Sequence, residues 1–107
     1  MIHLLLASLT VIILSACAST PSMIDISSAQ TGDEVRQLIG SPDLLYVDNM
    51  AIVKMSWYSC IDGRSDWDDR ASAAWVYLGS RHPTTHGDAC VLLKGDKVLM
   101  TYQRADQ

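Results

Sequence analysis

The run Thr31-Gly32-Asp33-Glu34-Val35-Arg36-Gln37-Leu38-Ile39-Gly40-Ser41-Pro42 carries its own start and stop signals and constrains the fold of this chain more than any other stretch. Thr31 and Glu34 stand at capping-box spacing, at which each side chain can satisfy a backbone N–H at the helix start. Asp33 and Glu34 add negative charge at the positive end of the helix dipole. Val35, Leu38 and Ile39 recur at i, i+3 and i+4 and make one apolar stripe. Gly40 is placed to end the helix in a left-handed conformation, and Pro42 forbids its resumption. A helix of about two turns cannot stand alone in water, so the pattern predicts a short helix lying on a sheet.

The sheet is expected from the residues that follow. Leu44-Leu45-Tyr46-Val47 reads as a short strand, and Asp48-Asn49 as a turn into a second strand from Ala51 to Cys60. There Val53, Met55 and Trp57 alternate with Lys54, Ser56 and Tyr58, the period of a half-buried strand. Ala74-Trp75-Val76-Tyr77-Leu78 is a third candidate, stopped by Gly79. Cys90 to Leu93 and Val98 to Tyr102 flank Lys94-Gly95-Asp96-Lys97 and read as a β-hairpin. A helix followed by an antiparallel meander is an α+β, two-layer domain.

The first residues are of another kind. Residues 4–14, Leu-Leu-Leu-Ala-Ser-Leu-Thr-Val-Ile-Ile-Leu, form an apolar run of signal-peptide length, too short for a comfortable membrane span. It ends in Leu14-Ser15-Ala16-Cys17, which resembles the lipobox of bacterial lipoprotein precursors; Met1-Ile2-His3 ahead of the run lacks the usual Lys or Arg. The resemblance implies cleavage before Cys17 and lipidation of its thiol, and Ala18, where an Asp would retain a lipoprotein in the inner membrane, points to the outer membrane. Residues 18–24, Ala-Ser-Thr-Pro-Ser-Met-Ile, read as a flexible tether.

All eight basic and twelve acidic residues lie beyond Cys17, so the mature part is more polar than the whole-chain composition suggests. A net charge of −4 without a basic run excludes the electrostatic footprint of a nucleic-acid or anionic-lipid binder. Anchoring then falls to the lipid, each buried methylene of which contributes about 0.8 kcal/mol.

The Thr31 to Pro42 run, with Val in its first turn, an aliphatic pair and Gly-Ser-Pro, resembles the helix-to-strand signature of the SmpA/OmlA (BamE-like) outer-membrane lipoproteins. Trp75-Val76-Tyr77 and the hairpin around Lys94 to Val98 are similar to that family's later strands. The resemblance implies a helix-plus-antiparallel-sheet fold, shared with a β-lactamase inhibitor protein, and work beside the machine that inserts β-barrels into the outer membrane. Gln30-Thr31-Gly32 stands where members commonly carry a Gly-Met-Thr-like sequence, and the Pro42 to Trp75 stretch is longer than usual, so no partner-binding residue is carried over.

Cys60 and Cys90 remain once Cys17 is lipidated, and an even pair in an oxidising compartment reads first as a disulfide. The competing reading joins Cys60, His82, His86 and Cys90 as a zinc tetrahedron, although Pro83 and Gly87 interrupt any helix that would align them. Asp62, Asp66, Asp68 and Asp69 supply oxygen density suited to calcium but lack the alternating rhythm of an EF-hand; Arg64 and Arg70 can neutralise them in a solvated turn. Trp57, Trp67 and Trp75 read as core aromatics, or as a contact surface where exposed. No Gly-x-Ser-x-Gly elbow or phosphate loop is present, and a Cys–His nucleophile competes with the disulfide.

The expectation is therefore a signal peptide over residues 1–16, a lipidated N-terminus and tether over 17–27, and an α+β domain over 28–107. It needs no cofactor, metal or nucleic acid. Its expected work is that of a noncatalytic interaction module at the periplasmic face of the outer membrane, in outer-membrane protein assembly or envelope integrity. The alternative is a small-ligand or metal-binding envelope sensor.

Overall fold

The computed structural model describes residues 22–62 and 64–104. The run expected to be a signal peptide and Cys17, the expected lipidation site, lie outside these residues. Among them are helices α1 (Gly32–Ile39) and α2 (Met50–Cys60), strands β1 (Leu44–Val47), β2 (Ala73–Tyr77), β3 (Ala89–Lys94) and β4 (Lys97–Gln103), and a single 3-10 turn, Pro83–Thr85. The strands form one antiparallel sheet in the order β1-β2-β3-β4. The fold is thus α+β, with a helix packed on an antiparallel sheet.

Helix α1 forms where its signals place it. Glu34 N donates to Thr31 Oγ1 at 3.2 Å, while the Glu34 carboxylate accepts from Gln30 N at 3.1 Å, one residue ahead of the usual capping-box partner. Gly40 stops the helix at φ 88° and ψ −166°, an extended positive-φ conformation open to glycine, rather than the left-handed one expected. Val35 and Ile39 are buried, but Leu38 is 40% exposed and belongs to the surface. Replacing Thr31 by Ala leaves Glu34 N without its acceptor and should lower stability by about 1 kcal/mol, read as a fall in urea midpoint at unchanged m-value.

The second expected strand is instead helix α2. Asn49 Oδ1 accepts from Ile52 N at 3.3 Å and caps it, so the Asp48-Asn49 turn opens a helix. Val53 and Trp57 fit both a strand and a helix pattern. Met55 decides: it is 63% exposed, whereas Val53, Trp57, Cys60 and Ile61 are buried, spaced four, three and one residues apart along one helical face and its C-cap. The segment's outer side carries Met50, Ile52 and Met55, so its amphipathic pattern is blurred.

A second helix changes the layering, because the antiparallel sheet now has a cover on each face rather than on one. Ala73, Trp75 and Tyr77 of β2, with Ala89, Val91 and Leu93 of β3, pack against Val35 and Ile39 of α1. Their alternates Ala74, Val76, Cys90 and Leu92 pack against Val53, Trp57 and Cys60 of α2. Both central strands are therefore nearly continuous apolar runs, as a sheet buried on two faces requires. In β4 a register shift opposite Leu92/Leu93 inserts one extra residue, which lets Val98 serve the α1 face and Met100 the α2 face.

The domain also begins earlier than residue 28, inside the stretch expected to be a tether. Ile26 is fully buried, and Ile24 packs on the α1-side core. The buried Gln103 amide holds this segment at both ends, accepting from Ile26 N at 3.1 Å and donating to the Ile24 carbonyl at 2.8 Å. A side chain that replaces backbone pairing is not visible in a hydropathy pattern. Farther along, Val98 N donates to the Gln30 carbonyl, Gly32 N donates to the Asp96 carbonyl, and Thr31 bridges to Lys97. The open edge of β4 is thus partly covered by the chain's own N-terminal segment.

Candidate functional site

The two cysteines are brought together by α2 and β3. Cys60 ends the helix, Cys90 lies in the sheet, their Cα atoms are 6.3 Å apart and their sulfurs are bonded. The zinc arrangement of Cys60, His82, His86 and Cys90 is not assembled, because the cysteines occupy the α2 face of the sheet while His82 packs beside Tyr77 on the other. No group of three or more potential metal ligands occurs among the described residues. His86 ends the 3-10 turn with φ 53° and its side chain is exposed.

His82 is instead part of a polar clasp at the start of β1. Its Nε2 lies 2.9 Å from Asp43 Oδ2, its ring meets Tyr77 edge-on at 5.1 Å, and Tyr77 Oη donates to the Gly40 carbonyl at 2.8 Å. Asp43 also accepts from Leu78 N at 2.8 Å and faces the Arg81 guanidinium at 3.6 Å. The Leu78 hydrogen bond is the main cause that holds the Asp43 carboxyl below the usual range, burial opposes it, and the His82 and Arg81 charges add to it. Desolvation of Tyr77 pushes its hydroxyl up to about 12. The neighbouring loops touch closely: a Cβ built on Gly79 would stand 2.5 Å from the Gly87 backbone, so no larger residue fits there.

The clasp has a defined acid response. A carboxyl depressed in the folded state contributes stability above its unfolded value and loses it as the pH falls through the folded one, here below about pH 4. Asp43→Asn should therefore flatten the acid limb of the stability profile, seen as a smaller drop in urea midpoint between pH 6 and pH 3 than the parent shows.

The acidic loop spends its charges locally. Asp68 accepts from Arg70 N, Nε and Nη2 at 2.9, 3.0 and 2.7 Å, and the Arg70 hydrogen bonds lower its pKa to about 2. Asp66 pairs with Arg64 at 3.1 Å, and Asp69 accepts from Trp67 Nε1 at 2.9 Å. Asp62 turns the chain after α2 with φ 60°. The loop serves the core through its backbone: Trp57 Nε1 donates to the Asp66 carbonyl at 2.7 Å. Trp57 and Trp75 are core residues, Trp67 is half-buried against Tyr58, and Arg36 stacks over Trp75 at 4.6 Å.

The feature that residue-type reasoning missed is the outer edge of β1. Among the described residues β1 pairs with β2 alone, and Leu44, Leu45 and Val47 are 41%, 48% and 44% exposed. All the exposed large hydrophobics among the described residues fall between Leu38 and Met55, around this strand and its two flanking helices. A shallow cleft of about 300 Å³ lies between β1 and α2, lined in part by Leu44, Tyr46, Met55 and Cys60. The signal was present in Leu44 to Val47, an apolar run without alternation, but such a run also describes a strand buried on both faces.

Comparison of the chain with protein-family models, with curated proteins and with solved structures finds no match.

Proposed function

We propose that this protein is a lipid-anchored, noncatalytic interaction module at the periplasmic face of a bacterial outer membrane, working in outer-membrane protein assembly or envelope integrity. The observation that carries the interaction reading is the unpaired apolar edge at β1. Monomeric proteins normally blunt such edges with charge, proline or a covering segment, and among the described residues Leu44 to Val47 has none of these. The lipobox-like Leu14 to Cys17 supports the anchor, and the Cys60–Cys90 pair suits an oxidising compartment. The noncatalytic reading is supported by the local pairing of Asp43, Asp66, Asp68 and Asp69 and by the joining of both cysteine sulfurs. The assembly setting rests on the resemblance of the Thr31 to Pro42 run to the SmpA/OmlA signature.

The geometry also suits a tethered presenter. The described chain enters along β4, three strand spacings or about 14 Å from the open edge at β1. In-cell crosslinking of the full-length protein, followed by affinity isolation from detergent extracts, tests the setting. Recovery of envelope assembly components supports it, and recovery of cytoplasmic proteins alone contradicts it.

A further inference from the structure

We infer that the open edge of β1 is a self-association surface, at which a second copy of this chain pairs β1 against β1 to continue the sheet. The inference rests on the reading of β1 as a contact surface and is independent of the lipid anchor. The two edges of the sheet are treated differently by the sequence. β4 is partly covered by the segment around Gln30 and Thr31, whereas β1 offers its outward N–H and C=O groups and apolar side chains on both faces.

An antiparallel strand is complementary to itself. A two-fold axis normal to the sheet brings β1 beside its copy, keeps the α1 faces on one side and the α2 faces on the other, and closes the assembly at two subunits. Because side chains alternate between faces, the axis must pass through a residue, Leu45 or Tyr46, and not between them. Either register places Tyr46 and the Met55 side of α2 near the partner's Leu44, so the cleft between β1 and α2 is filled from the other copy.

Charge and area favour a second copy over an unrelated strand. Arg81, 70% exposed, sits on Asp43 at the start of β1, while the exposed Asp48 follows its last residue. Antiparallel pairing brings the partner's Asp48 to the end of β1 at which Asp43 and Arg81 lie, twice by symmetry. The exposed large hydrophobics from Leu38 to Met55 present roughly 600 Å² per copy, near the ~800 Å² that each partner of a standard interface buries.

The test is photo-crosslinking in cells that express two differently tagged full-length copies, with a benzophenone amino acid at position 45. The expected result is a crosslinked product that carries both tags, reduced at least tenfold by Met55→Lys and several-fold by Arg81→Glu, at equal protein levels. The same crosslinker at Asp96, on the β4 side, should yield none. An adduct to a different protein without a two-tag product would overturn the self-association while leaving the interaction-module reading intact. Absence of any adduct, or a two-tag product insensitive to both substitutions, would overturn it equally.

Discussion

Replacing both cysteines, Cys60→Ala with Cys90→Ala, is expected to cost about 3.5 kcal/mol of stability, the chain entropy that closing a 30-residue loop removes from the unfolded state. The bond joins the C-terminal end of α2 to the central strand β3, and the loop it closes contains the acidic turn, β2 and the 3-10 turn. A domain of this size is stable by only about 5–10 kcal/mol, so the doubly substituted protein should sit near its unfolding threshold. Urea titration checks it: the midpoint should fall sharply for the variant. Reductant should lower the parent toward the same value and leave the variant unmoved. A parent insensitive to reductant under conditions that reduce the pair would contradict this role.

Trp57→Ala should be comparably severe, at about 3–5 kcal/mol. Trp57 is 1% exposed at the centre of the α2-side core, so truncation opens a cavity among Val53, Ala74 and Leu92. It also removes the indole N–H that donates to the Asp66 backbone carbonyl at 2.7 Å and ties the acidic loop to the helix. Trp57→Phe separates these effects, since it keeps most of the packing and loses the hydrogen bond; the single bond accounts for about 1 kcal/mol. Thermal unfolding of the three proteins should rank parent, Phe and Ala in that order. An alanine variant within 1 kcal/mol of the parent would contradict the placement of Trp57 in the core and the helical assignment of its segment.

The helical segment shows why one element was legible and another was not. Thr31 to Pro42 states its helix redundantly, by cap, dipole, stripe, glycine and proline, and the helix forms there, with Leu38 exposed, Gly40 extended rather than left-handed and the Glu34 carboxylate on Gln30 N. Met50 to Cys60 has Asn49 as its cap but no acidic first turn, no glycine stop and apolar residues on its solvent side. Val53 and Trp57 satisfy both periods, so the pattern contained no internal vote. Met55, which in a strand would share a face with Val53 and Trp57, is exposed and belongs to the apolar surface beside β1.

Pairing in the sheet was largely legible because β2 and β4 carry β-branched and aromatic residues, β3 is an apolar run, and strong turn signals separate them. Two features depend on long-range contacts and leave no local trace. Gln103 reaches the backbone at Ile24 and Ile26 from far along the chain and thereby moves the start of the folded unit. Asp43 and His82 meet only because β1 and β2 are neighbours, so a histidine that spacing grouped with the cysteines joins a carboxylate on the other face.

We propose that lipid on Cys17 holds the protein at a membrane. Mass spectrometry of the N-terminal peptide, purified from bacterial cells that express the full-length chain, tests it most directly. The expected result is a chain that begins at Cys17 and carries diacylglyceryl and N-acyl mass. Cys17→Ser should abolish that mass and release the protein from the membrane fraction. An unmodified Cys17 inside an uncut chain, or cleavage at another residue with the protein free of the membrane, would contradict it.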